Sequence, residues 1–183
     1  MIHALLRTSS ISAAAIVTSV ALAAPATAAP KRVVALTPFT ANTAVAMGVR
    51  PVAIGQVLGG RDRIDRRLRG VKVLPLSHPN GPNLEQLAAL RPDLILSAPI
   101  WRKGSTGMKR LRMRAVESDP TSVAGVLSQT LRIGRVLGKN RKARAVAIRQ
   151  RNEIVKAQRG IRKRPRVLVV LGVGRSTTAM LKN

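Results

Sequence analysis

The stretch that decides the fold is Asn-Leu-Glu-Gln-Leu-Ala-Ala-Leu-Arg-Pro-Asp-Leu-Ile-Leu-Ser, residues 83–97. Asn83 is a favoured helix N-cap, and Glu85 in the first turn suits the positive end of the helix dipole. Apolar side chains recur at helical spacing, at Leu84, Leu87, Ala88 and Leu90. Pro92 then stops the helix, and residues 94–96 form the short apolar run that is typical of a covered parallel strand.

The same alternation of strand and helix extends on both sides of this stretch. The patterns predict strands at residues 31–36, 52–54, 71–76, 94–96, 114–117 and 166–171. They predict helices at residues 41–47, 83–91, 107–111, 121–138 and 139–161, with Gly48 as a C-cap and Thr121 as an N-cap. Strands that alternate with helices pair in parallel through right-handed crossovers, so the fold class is α/β with a parallel sheet.

The first 28 residues have the pattern of a secretory signal peptide. Arg7 precedes an apolar stretch at residues 11–24, and small residues at Ala26 and Ala28 predict cleavage near Ala28. A membrane anchor is the weaker alternative, because the apolar stretch is short and is interrupted by polar residues and Pro25. The sequence has no cysteine for disulfides or for a lipid anchor, so we expect a periplasmic or secreted protein.

The charge balance is strongly basic, with 33 Lys and Arg residues against 7 Asp and Glu residues and a formal net charge of +26. Such an excess favours anionic partners. Nucleic-acid binders, however, usually place stacking aromatics among their basic residues, and here the aromatic side chains are only Phe39 and Trp101. Solvated, arginine-rich surfaces are the simpler interpretation.

The sequence lacks the residue patterns that catalytic sites, metal sites and phosphate-binding loops usually require. His3 leaves with the signal peptide, so His78 stands alone in a Pro/Gly/Asn loop, where a solvated histidine is the ordinary case. The carboxylates are scattered, and Asp65 is more simply explained as a surface ion pair with a neighbouring arginine. Glycines at residues 55–61 and 172–174 only partly match phosphate-binding loops. We therefore expect no enzyme activity, no cofactor and no bound metal.

Taken in order, several segments carry a resemblance to a known family. They are residues 32–43, beginning Arg-Val-Val-Ala-Leu-Thr-Pro, residues 46–55, residues 83–97 and residues 164–172. The chain resembles the cobalamin and ferric-siderophore type (class III) of periplasmic substrate-binding protein, which serves ABC importers. The Asn-Leu-Glu to Arg-Pro-Asp segment is the most specific part of the resemblance.

The resemblance implies a Rossmann-like lobe with a parallel sheet, a long linking helix and the first strand of an incomplete second lobe. The corresponding boundaries are 1–28 for the signal peptide, 29–119 for the N-terminal lobe, 120–163 for the helical linker, and 164–183 for the start of a truncated C-terminal lobe. Ligand would be held by loops at strand ends, and the predicted binding residues are Thr37, Pro38, Phe39, Thr40, His78, Trp101 and Arg102. In this family the glutamate of the Asn-Leu-Glu segment pairs with arginines of the permease, which makes Glu85 a predicted docking contact.

The expected function is that of an exported binding component of an ABC importer, which captures a ferric siderophore, corrinoid or haem between lobes and docks on the permease. A planar chelate would pack on Phe39 and Trp101 while cations meet its carboxylates. The expected partners are the permease and the small-molecule chelate, with no specific nucleic acid, membrane contact only through the permease, and a monomeric state. The alternative is a cationic exported protein that binds nucleic acid or cell-wall polymer, since residues 139–166 carry twelve basic side chains and one acid, Glu153.

Overall fold

The computed structural model describes residues 28–57, 63–77, 80–159, 161, 168–173 and 176–181. The strands are β1 (Val33–Ala35), β2 (Ala53–Gly55), β3 (Lys72–Leu74), β4 (Leu76–Ser77), β5 (Gly81–Pro82), β6 (Leu94–Ser97), β7 (Ala115–Glu117), β8 (Leu168–Val173) and β9 (Ser176–Leu181). The α-helices are α1 (Pro38–Ala46), α2 (Leu84–Ala89), α3 (Arg102–Arg110), α4 (Val123–Val136) and α5 (Asn140–Gln158). Short 3-10 turns lie at Arg66–Leu68 and Pro99–Trp101.

Five strands form a parallel sheet in the order β3-β2-β1-β6-β7. The central strand β1 pairs with β2 and β6, with Val34 opposite Ala53 on one side and Ile95 on the other. Because β1 and β6 are covered on both faces, all their residues are buried, and this explains their continuous apolar runs. The α/β parallel-sheet prediction is confirmed.

Helices cover the two faces of the sheet and define two cores. The first core joins alternate strand residues to α1, α4 and α5, and includes Val33, Ala35, Leu94, Leu96, Ala44, Ile133, Leu137, Ala143 and Val146. The second core joins the other strand residues to α2 and α3, and includes Val34, Leu36, Ile95, Leu74, Leu87 and Met108. The segment predicted as a linker therefore also supplies one covering layer of the sheet.

Helices α4 and α5 form a closely packed antiparallel hairpin. A Cβ atom on Gly134 would overlap that of Ala143, so the two backbones can approach only because Gly134 has no side chain. The Thr130 hydroxyl donates to Gln150 Oε1 at 2.8 Å, which gives a buried polar group its partner. The turn between the helices includes Gly138 at a φ of 66°, a left-handed conformation that suits glycine.

Some predicted boundaries were wrong. Helix α1 begins at Pro38 and α3 at Arg102, both earlier than predicted, and Ser122 rather than Thr121 caps α4. The predicted third strand is divided by Pro75, and its second part, β4, pairs antiparallel with β5. Helix α5 ends at Gln158, three residues short of the prediction. The last predicted strand is present as β8, and it pairs antiparallel with β9.

Candidate functional site

The candidate site is the edge of the sheet where the parallel strands end. Strands β1, β6 and β7 reach this edge at Ala35, Ser97 and Glu117. Open α/β sheets usually bind ligands outside the carboxyl ends of their strands. Of the segments predicted to bind, residues 37–40 follow β1 and residues 98–103 follow β6 directly, while Ser77 and Gly81 of the third segment lie in β4 and β5, which come after β3.

The first of these segments is the start of α1, where two threonines form a capping box. The Thr37 hydroxyl accepts from the Thr40 amide at 3.2 Å, and the Thr40 hydroxyl accepts from the Thr37 amide at 3.2 Å. These bonds satisfy backbone donors that the first helical turn leaves free, and Pro38 at the first helical position needs no partner. Thr40 is fully buried, so it shapes the turn from inside, whereas Thr37 is half-buried at the edge.

Asp119 is a site residue that the sequence analysis missed. The Thr37 hydroxyl donates to Asp119 Oδ1 at 2.6 Å, and this bond ties the β1–α1 connection to the segment that follows β7. Burial raises the pKa of the Asp119 carboxyl above its usual value, and the hydrogen bond from Thr37 partly opposes this rise. In the sequence, Asp119-Pro120 marked only a boundary, and nothing local connects it with a threonine 82 residues earlier.

The second and third predicted segments pack against each other. Gly81, at a φ of 82°, lies so close to Trp101 that an added Cβ would be 3.3 Å from the Trp101 Cβ. A Cβ on Gly104 would overlap the Asn80 carbonyl oxygen. Two glycines therefore allow Asn80 and Gly81 to sit directly on the beginning of α3. His78 lies outside the described residues.

The two aromatic side chains flank the edge from opposite layers. Phe39 packs against the first core, on the α1 side of the sheet, and Trp101 packs against the second core, on the α3 side. Trp101 is half-buried at the end of a 3-10 turn, and Arg102 next to it is exposed at the start of α3. A ligand that contacts both rings would have to cross the end of the sheet between them.

A groove of about 710 Å³ lies beside Phe39, between α1, α5 and the residues that precede the first 3-10 turn. Its lining combines apolar, polar and cationic side chains, namely Phe39, Asn42, Thr43, Ala46, Arg63, Ile64, Asp65, Arg66, Val146 and Gln150. The Asn42 amide holds this arrangement, because it donates to the Arg63 carbonyl at 2.7 Å and accepts from the Asp65 amide at 2.9 Å. The sequence offered no signal for this groove, since three distant segments form it.

Asp65 is engaged in the ion pair that the sequence predicted. Its carboxylate accepts two hydrogen bonds from the Arg67 guanidinium, at 2.9 Å and 2.7 Å. The side-chain hydrogen bond from Arg67 is the main reason why the pKa of Asp65 is lowered to about 2. Asp65 therefore carries its negative charge at any ordinary pH and holds an arginine beside the groove.

Glu85 lies on a different surface from the groove. It is exposed in the first turn of α2, where the Asn83 side chain accepts from the Glu85 and Gln86 amides at 2.9 Å and 3.0 Å. Leu87 anchors the helix in the second core. The cap and the buried leucine fix the position of the Glu85 backbone and leave its carboxylate facing solvent.

Within the described part of the chain, no three His, Cys, Asp or Glu side chains come together in a way that could hold a metal ion. Over the same ranges, no helix combines the length and apolar character needed to cross a membrane.

The parallel sheet, its covering helices and the loops at its carboxyl edge define the chain as the α/β lobe of a binding protein. The family model for periplasmic binding proteins matches residues 33–182, and the chain belongs to this family. The family is one of periplasmic and extracellular proteins.

One curated relative and two solved structures illustrate the similarity. A cobalamin-binding protein of Halobacterium salinarum is 30% identical over 155 residues, which cover 79% of this chain and 40% of the relative. Staphylococcus aureus IsdE complexed with haem superposes with a TM-score of 0.64 at 21% identity, over 81% of this chain and 57% of that chain. S. aureus SirA complexed with staphyloferrin B gives a TM-score of 0.60 at 23% identity, over 79% and 51% respectively.

The two structural likenesses are below 25% identity and establish the fold alone. The chain spans about 40% of the length of its curated relative and little more than half of the two solved structures.

Proposed function

We propose that this chain is the ligand-capturing component of an ABC importer and that its ligand is a metal chelate, namely a ferric siderophore, a corrinoid or haem. Membership of the periplasmic binding protein family supports this proposal, as do a relative named as a cobalamin-binding protein and similar structures solved with haem and staphyloferrin B. The observation that carries it is the joined carboxyl edge of the sheet, where Thr37 is bonded to Asp119 and Gly81 packs on Trp101. Ligand capture requires no bond chemistry from these residues.

In this proposal the ligand contacts the edge from both sides of the sheet. Thr37, Pro38 and Phe39 form one wall, and Trp101 with Arg102 forms the other, while Thr40 supports the first wall from inside and His78 stays a contact predicted from the sequence. Haem presents a conjugated face and two carboxylates, cyanocobalamin a corrin ring and a phosphodiester, and carboxylate siderophores an anionic rim. Aromatic side chains pack against conjugated or apolar surfaces, and guanidinium groups pair with anionic groups.

The groove beside Phe39 adds a second set of cations to this proposed site. Arg63 and Arg66 line it together with the Phe39 ring, and its volume of about 710 Å³ falls in the range of small-molecule sites. Its cationic and apolar lining matches a chelate that carries both carboxylates and hydrocarbon. In this proposal Arg63 and Arg66 pair with the carboxylates of such a ligand.

Docking on the permease is assigned to Glu85, which is exposed on α2 and is supported by the Asn83 cap. A carboxylate on a rigid helical turn can pair with a permease arginine without ordering a flexible loop. Export through the signal peptide at residues 1–28 would bring the protein to the compartment where it meets its ligand.

Fluorescence of Trp101 tests ligand capture, because Trp101 is the only tryptophan in the chain. Haemin, cyanocobalamin and the ferric hydroxamate ferrichrome are titrated separately, with free N-acetyltryptophanamide as the control for light absorption by the probe. We expect saturable quenching by one of them, with a much weaker salt dependence than binding of a polyanion through many cations would show. If none of the three quenches Trp101 saturably up to about 100 µM, the proposal is wrong.

A further inference from the structure

The outer surface of α5 carries a regular stripe of basic and apolar side chains. Arg144, Ile148, Arg151 and Val155 follow one another at spacings of three or four residues on one face of the helix, and Arg159, the residue directly after its end, continues the series. We call these five residues the outer stripe. All five are exposed, including 60% of Ile148 and 40% of Val155. Ile148 and Val155 therefore add exposed apolar area to a cationic face.

The neighbouring helix α4 extends this surface. Leu131 is 38% exposed and lines a groove of about 280 Å³ with Arg135, Asn140, Ala143 and Arg144. The groove joins the two helices, so the exposed leucine and the outer stripe belong to one continuous face. This face is built on a closely packed helix hairpin, and it therefore presents its side chains from a rigid support.

The outer stripe is free of acidic residues. Glu153 is the one acid on α5, and at 100° per residue it lies nearly half a turn from the stripe. In the described part of the chain, the single ion pair joins Arg67 to Asp65, far from α5 in sequence. The three stripe arginines thus combine into an uncompensated positive face on a molecule whose formal charge is already +26.

The alternation of arginine with apolar side chains distinguishes between anionic partners. Single-stranded nucleic acids are bound by basic grooves with aromatic stacking platforms, and α4 and α5 contain no aromatic residue. A lipid surface requires both features found here, because its headgroups attract cations and its acyl boundary accepts apolar side chains. We propose that the outer stripe binds the surface of a membrane that contains anionic phospholipid.

This contact would be separate from docking through Glu85. Helix α5 packs on the first core and α2 on the second, so the outer stripe and Glu85 lie on opposite sides of the sheet. A molecule lying on a membrane by its stripe would turn Glu85 away from that membrane. Membrane contact only through the permease was expected from the sequence, and the outer stripe adds a direct contact that does not depend on ligand capture.

Flotation with phospholipid vesicles tests the proposal on the chain from residue 29 onward, because the apolar signal segment would bind lipid by itself. We expect binding to vesicles of phosphatidylcholine with about 30% phosphatidylglycerol and little binding to pure phosphatidylcholine, with loss of binding as salt is raised. Replacing the three stripe arginines by glutamine should weaken binding at least tenfold, since each cation near such a surface contributes about fivefold. Ile148→Ser with Val155→Ser should weaken it by about fivefold while all charges are retained.

A matched control removes the same charge from another face of α5. Lys142, Arg149 and Lys156 are exposed about a third of a turn from the stripe, and their replacement by glutamine should reduce binding by no more than about threefold. Circular dichroism of each variant establishes that the helices are retained. Equal losses in the two triple variants, or equal binding to both kinds of vesicle, would overturn the proposal.

Duplex DNA serves as the probe for the competing class of partner. If the stripe arginine variant loses DNA binding as strongly as vesicle binding, and the serine variant loses neither, the face recognises polyanions in general and the lipid proposal fails. We expect instead that the serine variant binds DNA normally and vesicles weakly.

Discussion

Asp119 shows how a single residue acquires its role from a distant partner. Its carboxyl is partly removed from water, and the single side-chain hydrogen bond that the structure records for it comes from Thr37. No cation compensates the charge in the recorded contacts, so burial dominates and raises the pKa. Asp65 has the opposite environment, since a guanidinium donates to it twice and lowers its pKa to about 2. Two aspartates of one chain thus differ in the pH at which they titrate because of what faces them.

We expect Asp119→Asn to be more stable relative to the wild type at pH 7 than at pH 3. The folded protein holds a proton on Asp119 more tightly than the unfolded chain, whose value is near 3.8. The contribution of Asp119 to wild-type stability is therefore complete below pH 3.8 and decreases as the pH rises through the folded pKa. The asparagine does not titrate and can still accept from Thr37. Urea midpoints measured between pH 3 and pH 7 give the difference.

Asp65→Asn is the matched control, and it should have the opposite pH dependence. Its folded pKa is lowered, so the wild-type contribution is present above about pH 3.8 and is lost as the pH falls toward 2. We expect this variant to be the less stable protein at pH 7 and to approach the wild type in acid. If both variants follow the same pH trend, the burial assigned to Asp119 is incorrect.

At the scale of elements, local signals located the helices and tertiary contacts set some of their limits. The Asn83 cap of α2 and the strand after Pro92 could be predicted from the sequence, because each depends on neighbours within a few residues. The early start of α1 was also readable in principle, since Thr37-Pro38 is an N-cap followed by proline at the first helical position. Helix α3 differs, because it begins without a capping side chain and is supported by Asn80 and Gly81, which pack on Gly104 and Trp101.

Removing the cap of α2 should destabilise the protein by about 1 kcal/mol. In Asn83→Ala the Glu85 and Gln86 amides lose their acceptor, and the six-residue helix is too short to compensate by its own propensity. Urea unfolding monitored by circular dichroism measures the loss. Asn83→Asp keeps the acceptor and should unfold within a few tenths of a kcal/mol of the wild type. An aspartate variant as unstable as the alanine variant would contradict the capping explanation.

At the scale of the whole molecule, the sheet separates three surfaces whose residues alternate along the sequence. Its carboxyl edge carries the proposed ligand site, α2 presents Glu85 on one side, and α5 presents the outer stripe on the other. Changes to one surface should therefore leave the other two intact, which gives a direct means of separating capture, docking and lipid contact.

Glu85→Ala should reduce uptake by about tenfold or more and leave ligand affinity unchanged, because a buried charge-assisted pair with the permease would be lost while the ligand edge is untouched. Uptake is measured in the source cells with whichever of haemin, cyanocobalamin or ferrichrome quenches Trp101. Gln86→Ala, on the adjacent exposed position of α2, is the control and should transport normally. A fall in affinity in the Glu85 variant would show that this residue belongs to ligand binding, and unchanged uptake would remove its docking role.

By itself the sequence determined the α/β class, the elements of the sheet, the Asn83 cap and the resemblance that the family match confirms. Periodicity, caps and prolines act over a few residues, so residues that are close together in the sequence are enough to determine these features. Only the tertiary structure decided that Thr37 meets Asp119, that Phe39 and Trp101 lie in opposite layers, and that the outer stripe remains exposed. These three features depend on which strands the crossovers bring together and on which helix faces are buried in the two cores. That is a property of the assembled sheet, and no stretch of residues encodes it alone.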